Sequence, residues 1–140
     1  MALSKNPPID GRSCDTYNHV FMGTFHMKFT VRNPGDPTRA LQLEGLVDTG
    51  AHFTQVPASL LAQIGVDPFG TRKIQYANGP IASKPVASVE IGIDQEVTPA
   101  VVLCGESNDL VLIGATTLEN LNFGVDPIRK ILIPLIAPQV

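Results

Sequence analysis

Asp48, Thr49, Gly50 and Ala51 follow the apolar pair Leu46-Val47, and this short run holds the residue types that an acid/base site needs. A strand ending in an aspartate, a hydroxyl and a glycine presents a carboxylate on a tight turn, with donors beside it. A carboxylate so placed can take a proton from water and later return one to a leaving group. Asp-Thr-Gly arises by chance in roughly one chain in thirty of this length, so its meaning rests on its surroundings. The plain alternative is a turn aspartate that caps its own backbone.

The elements that must position this turn can be read from periodicity. Phe25, Met27, Phe29 and Val31 alternate with His26, Lys28, Thr30 and Arg32, the period of a half-buried strand. Asn33-Pro34-Gly35-Asp36-Pro37 predicts a turn, and Leu41, Leu43 and Val47 continue on one parity toward Asp48. Pro57 at a first helical position and Gly65 past the end predict a short helix over 57–64. Lys73 to Ala77 and Ile81 to Ile93 flank Asn78-Gly79-Pro80, a strong hairpin signal. Glu96 to Cys104 reads as the next strand. The unbroken apolar run Leu110-Val111-Leu112-Ile113 before Gly114 is expected in the core. Thr116-Thr117-Leu118-Glu119 has capping-box spacing for a second short helix, with Leu118 and Leu121 on its apolar side. Asn122-Phe123-Gly124 should stop it, and a turn near Pro127 should lead into a last strand to Pro134. The count is about seven strands and two helices, a mainly β class.

Composition narrows the function classes. The chain has 140 residues, enough for one domain with a sizeable core. Residues 1–21 are polar, punctuated by Pro7-Pro8 and Asp10-Gly11, and are expected to be a flexible arm before a domain over 22–140. A net charge of −3, no tryptophan and no basic stripe argue against nucleic acid as a partner. No run approaches the ~20 apolar residues that cross a bilayer, and the first residues lack the apolar core of a signal peptide, so no membrane partner and a cytoplasmic location are expected. Cys14 and Cys104 share no metal or redox spacing. Cys104, in an apolar run, reads as a buried reduced thiol. No metal site is expected, because His19, His26 and the cysteines have no ligand spacing.

Leu46-Val47-Asp48-Thr49-Gly50-Ala51 resembles the active-site strand and turn of the retropepsin-like (retroviral-type) aspartic protease family. Leu112-Ile113-Gly114 followed by a helix resembles that family's second signature, and Tyr76-Ala77-Asn78-Gly79 resembles its flap. Val125-Asp126-Pro127 with Leu132-Ile133-Pro134 is similar to small cellular members outside viruses. The resemblance implies a single-domain closed β-barrel that is active as a homodimer, because the chain holds one Asp-Thr-Gly and the enzymes need two.

Under that resemblance two Asp48 carboxylates, one from each subunit, share a proton, since like charges that close cannot both ionise. One activates water, and the protonated other polarises the carbonyl and later protonates the leaving nitrogen of an extended polypeptide substrate. No cofactor, metal or covalent intermediate is required. Thr49 is implied to bond across the dyad, Gly50 to let the backbone donate to the carboxylate, and Asn78 and Gly79 to tip a lid over the substrate. Ala51, His52, Ile81 and Ile113 are the further substrate-binding candidates, with an ordinary core role as the alternative for Ile81 and Ile113 and an exposed loop histidine as that for His52. Viral members commonly pair an Asp after the Ala with an Arg after the downstream Gly; His52 and Ala115 stand there instead. Thr54 keeps the family's later threonine. The apolar stretch Ile131 to Val140 is expected to pair across a subunit interface rather than fold back as an edge strand. The rival reading is a catalytically silent dimer that binds peptide, or serves as an interaction module, on the same fold.

Overall fold

The computed structural model describes residues 24–140; the arm expected over 1–21 and Cys14 lie outside them. Nine strands and two short helices are found among the described residues, the mainly β class expected. β1 (Phe25–Asn33) and β2 (Asp36–Val47) form a long antiparallel hairpin in which Phe25 stands opposite Val47. The Asn33 side chain shapes its turn, accepting from the Gly35 N–H at 2.8 Å. Along β1 the even residues His26 and Lys28 are exposed while Phe29 and Val31 are buried, so the two-residue period of the sequence is the period of the structure.

β3 (Gln55–Pro57) leads into α1 (Ala58–Gln63); β4 (Gly70–Gln75), β5 (Ile81–Ile93) and β6 (Glu96–Gly105) follow, then β7 (Leu112–Ile113) and α2 (Ala115–Asn120). The sheet order is β1-β2-β7-β3-β6-β5-β4. A further pairing joins β1 to β5 through Thr30↔Gly92, Val31↔Ile91 and Arg32↔Glu90, so the path of pairings from β1 through β5 returns to β1. Inside it Val31, Val47, Val56, Val89, Ile91 and Ile113 are buried to 1% exposure or less. Each such aliphatic side chain stabilises the fold by about 1.5–3 kcal/mol relative to its exposed state. β8 (Phe123–Asp126) and β9 (Ile131–Pro134) form a separate two-stranded sheet.

Four local expectations are corrected. Pro57 is not inside α1 but ends β3 opposite Gly105, with ψ at 137°, because ladder pairing holds it extended; the helix starts at Ala58. The capping box at Thr116 does not form. α2 begins at Ala115 with Gly114 before it and no side-chain cap, because its first amides find partners elsewhere in the chain. The run 110–113 is only partly core: Ile113 is fully buried, but Leu110 precedes β7, stands outside any ladder and is 61% exposed. The hairpin loop extends over 76–80 rather than 78–80, since pairing ends at Gln75↔Ile81. The two strands beyond the seven expected are β3 and β8, three and four residues long. Ile131–Pro134 pairs antiparallel with β8 within the chain, and its other edge has no strand partner among the described residues.

Candidate active site

Asp48 follows β2 directly and is half-buried, with Thr49 and Gly50 exposed beyond it. Its N–H donates to the Ile113 carbonyl at 3.0 Å, which extends the parallel β2–β7 pairing one residue past Val47↔Ile113. Its Oδ1 accepts the Gly50 N–H at 2.9 Å, and the Ala51 N–H closes the turn onto the Asp48 carbonyl at 3.1 Å. A Cβ at position 50 would stand 3.2 Å from that Oδ1, tight for the amide's approach to the carboxylate. The strand thus fixes the backbone of Asp48 while one carboxylate oxygen is held and the side chain stays partly open to solvent.

The turn is bolted to α2 from below. The Ala115 N–H donates to the Ala51 carbonyl at 2.7 Å and the Thr116 N–H to the His52 carbonyl at 3.1 Å. These bonds satisfy two of the amides that every helix start leaves open. They also join the two segments that an Asp–Arg ion pair would join in the viral pattern, with no buried charge. Thr54, fully buried, accepts the Gly114 N–H on Oγ1 at 3.0 Å and shares a 2.6 Å hydrogen bond with the Thr117 hydroxyl. Thr117 carries no local signal of this role, since it stands within the capping-box spacing of Thr116 and Glu119.

The other candidates divide. His52 is exposed, its ring edge-on to Phe53 with centroids 4.6 Å apart. Ile113 is fully buried and packs in the core, the alternative role named for it. Asn78 at φ 55° and Gly79 form the tip of the β4–β5 hairpin, where the Gly79 N–H reaches the Tyr76 carbonyl at 2.7 Å and Gln75 Nε2 the Gly79 carbonyl at 3.0 Å. Ile81 is 66% exposed. Among the described residues no hydrogen bond joins Asn78, Gly79 or Ile81 to the Asp48 turn. The hairpin is tied to the body through the Tyr76 hydroxyl, which donates to Gln55 Oε1 at 3.3 Å, while Gln55 Nε2 donates to the Leu110 carbonyl at 3.0 Å. Gln55 carried no signal in the sequence; a buried amide after a buried threonine shows only once its partners are placed. Among the described residues no cluster of three or more His, Cys, Asp or Glu could hold a metal ion, and no helix is long and apolar enough to cross a membrane.

A mainly β fold that offers one Asp-Thr-Gly carboxylate on a strand-end turn, backed by a glycine and a helix, is of the retropepsin class. Residues 39–120 match the family described as "gag-polyprotein putative aspartyl protease", and the chain belongs to that family. Two solved structures are similar. The simian foamy virus (mac) protease shares 20% identity at a TM-score of 0.46, over 66% of this chain and 92% of that one. A retropepsin-like aspartic protease from Rickettsia conorii shares 21% at 0.49, over 74% and 87%. The search of curated proteins returns no match.

Proposed function

We propose that this chain is an aspartic endopeptidase that acts on extended polypeptide as a homodimer. The observation that carries the reading is the Asp48 turn: a half-buried carboxylate at a strand end, one oxygen held by the Gly50 N–H at 2.9 Å, the other left for a reacting partner. The chain contains Asp-Thr-Gly once. The second carboxylate then comes from a second copy, and Thr49, exposed beside Asp48, bonds across the pair. The two Asp48 side chains share one proton, because like charges so close cannot both be present. The ionised one draws a proton from water as it attacks the peptide carbonyl. The protonated one polarises that carbonyl, then protonates the departing nitrogen. Asn78, Gly79 and Ile81 close over the substrate from the hairpin, and Ala51 and His52 line its path beside the turn. The returning strand pairings are read as the closed barrel of the family.

The test is an Asp48→Asn variant beside the parent on denatured protein, from acid to neutral pH, with an aspartic-protease transition-state analogue as inhibitor. The parent cleaves and is blocked by the analogue. The variant loses at least about a hundredfold, the usual contribution of a general acid or base. Equal cleavage by the two proteins removes the reading.

A further inference from the structure

The β4–β5 hairpin carries Arg72, Lys73 and Lys84, and no aspartate or glutamate stands between Asp67 and Glu90. The chain as a whole is acidic, at −3, so this stretch runs against the average. Arg72 stands directly opposite Lys84 in the ladder, and like charges so placed are destabilising. Among the described residues the one ion pair is Arg129–Asp126, so none of their carboxylates pairs with the hairpin cations. Arg72 bonds only the neighbouring Thr71 carbonyl, at 2.9 Å, and lies over the exposed Phe69 ring at 5.7 Å. Those contacts orient the guanidinium and leave its charge uncompensated.

Arg72 also borders a groove of about 510 Å³ on the outer side of β5 and β6, with Phe53, Pro99 and Val101 among its apolar walls. Thr116 lines it too, and the Thr116 N–H is the one bonded to the His52 carbonyl, so the groove begins beside the Asp48 loop. Glu90 is the carboxylate on its rim. It lies six positions beyond Lys84 along β5, roughly 20 Å at the rise of a strand. Arg72 therefore puts a cation on the hairpin side of the groove, with Lys84 opposite it in the ladder, whereas Glu90 at the far end stands opposite Arg32 in the β1–β5 pairing.

We propose that this groove seats an extended polypeptide segment with an aspartate or glutamate that meets Arg72 and Lys84, the segment being the part of the substrate that runs on past His52. The proposal rests on the peptidase reading and gives it a substrate class. A guanidinium fork stacked on an aromatic ring suits a carboxylate in two-point contact, and the volume suits a few residues of peptide. Single-stranded nucleic acid would also answer to cations. The rim carboxylate of Glu90 and the few aromatic side chains favour peptide over phosphate.

The test uses the full chain as Asp48→Asn, so that binding is read without turnover. Two labelled peptides share an apolar centre; one carries Asp-Glu in its flank, the other the isosteric Asn-Gln. The acidic peptide binds about tenfold tighter at low ionic strength, and the ratio shrinks as salt screens the exposed charges. Arg72→Gln with Lys84→Gln brings the ratio to about one, whereas Arg72→Lys with Lys84→Arg keeps most of it. Equal binding of the two peptides, a ratio that survives the neutral double variant, or preference for a labelled oligonucleotide overturns the proposal. Cleavage of both peptides by the Asp48 parent at equal rates would overturn it while leaving the peptidase reading standing. Failure of the parent to cleave either peptide or denatured protein would remove that reading itself.

Discussion

Gly114 lies so close to Phe53 that a Cβ on it would stand 2.5 Å from the Phe53 carbonyl carbon and oxygen and 2.8 Å from the Thr54 nitrogen. The neighbours are backbone, which cannot rotate aside, and their positions set the loop that holds Asp48. Gly114 sits at φ −91°, a conformation open to any residue, so the need for glycine is one of space alone. Gly114→Ala should therefore cost about 1–3 kcal/mol or more by overpacking, read as a lower urea midpoint. It should also depress peptidase activity beyond the loss of folded protein, because relief of the clash moves the Asp48 loop. A variant with parental stability and rate would contradict the contact.

Thr54 and Thr117 form a graded pair. Thr54 Oγ1 serves both the Gly114 N–H and the Thr117 hydroxyl in a fully buried position, so Thr54→Val strands two polar groups where Thr117→Val strands one. A stranded buried group costs about 1–3 kcal/mol. Thr54→Val should be the more damaging by about that amount, and Thr54→Ser should recover most of the difference. The double variant should lose less than the sum, since the two share a bond. Unfolding in denaturant checks the order; a Thr117→Val loss equal to that of Thr54→Val would refute it.

Opposed pH effects are expected. If two Asp48 side chains share one proton as proposed, activity should fall as pH rises far enough to remove it. A rate that still climbs well above neutrality would contradict a shared proton. Acid acts instead on the β8–β9 turn. The Arg129 N–H and then its side chain, with the Ile128 N–H, hold the Asp126 carboxyl below the ordinary carboxylate value. A group with a depressed folded pKa contributes stability that is present above the unfolded value and lost as pH falls through the folded one. Parent and Asp126→Asn should differ in Tm near neutrality and converge in acid. A gap that widens in acid would reverse the sign.

What was legible in the sequence follows the range of each signal. Two-residue alternation along Phe25 to Val31 and Ala87 to Ile93 is written in neighbouring residues, and the strands stand where it put them. Asp48-Thr49-Gly50 was visible for the same reason. The lower half of the site was not, because it depends on partners about sixty residues away: the carbonyls of Ala51 and His52 replace the cap that Thr116 and Glu119 spell locally. Leu110 shows the converse, an apolar run whose first member lies outside the ladder and is exposed, its carbonyl accepting from the Gln55 side chain.

Dependence on a second copy yields a test that needs no structure of the dimer. If each active site takes one Asp48 from each of two chains, an Asp48→Asn chain should exchange into dimers and poison them. Asn keeps an oxygen to accept the Gly50 N–H, so the variant should fold and pair. With equal amounts and free exchange, about half of the parent chains find a parent partner, so the parent rate should drop to about half. A ninefold excess of the variant should leave about a tenth. An Asp48→Asn excess that leaves the parent rate unchanged would mean that one chain carries a complete site, and the shared dyad would have to be abandoned.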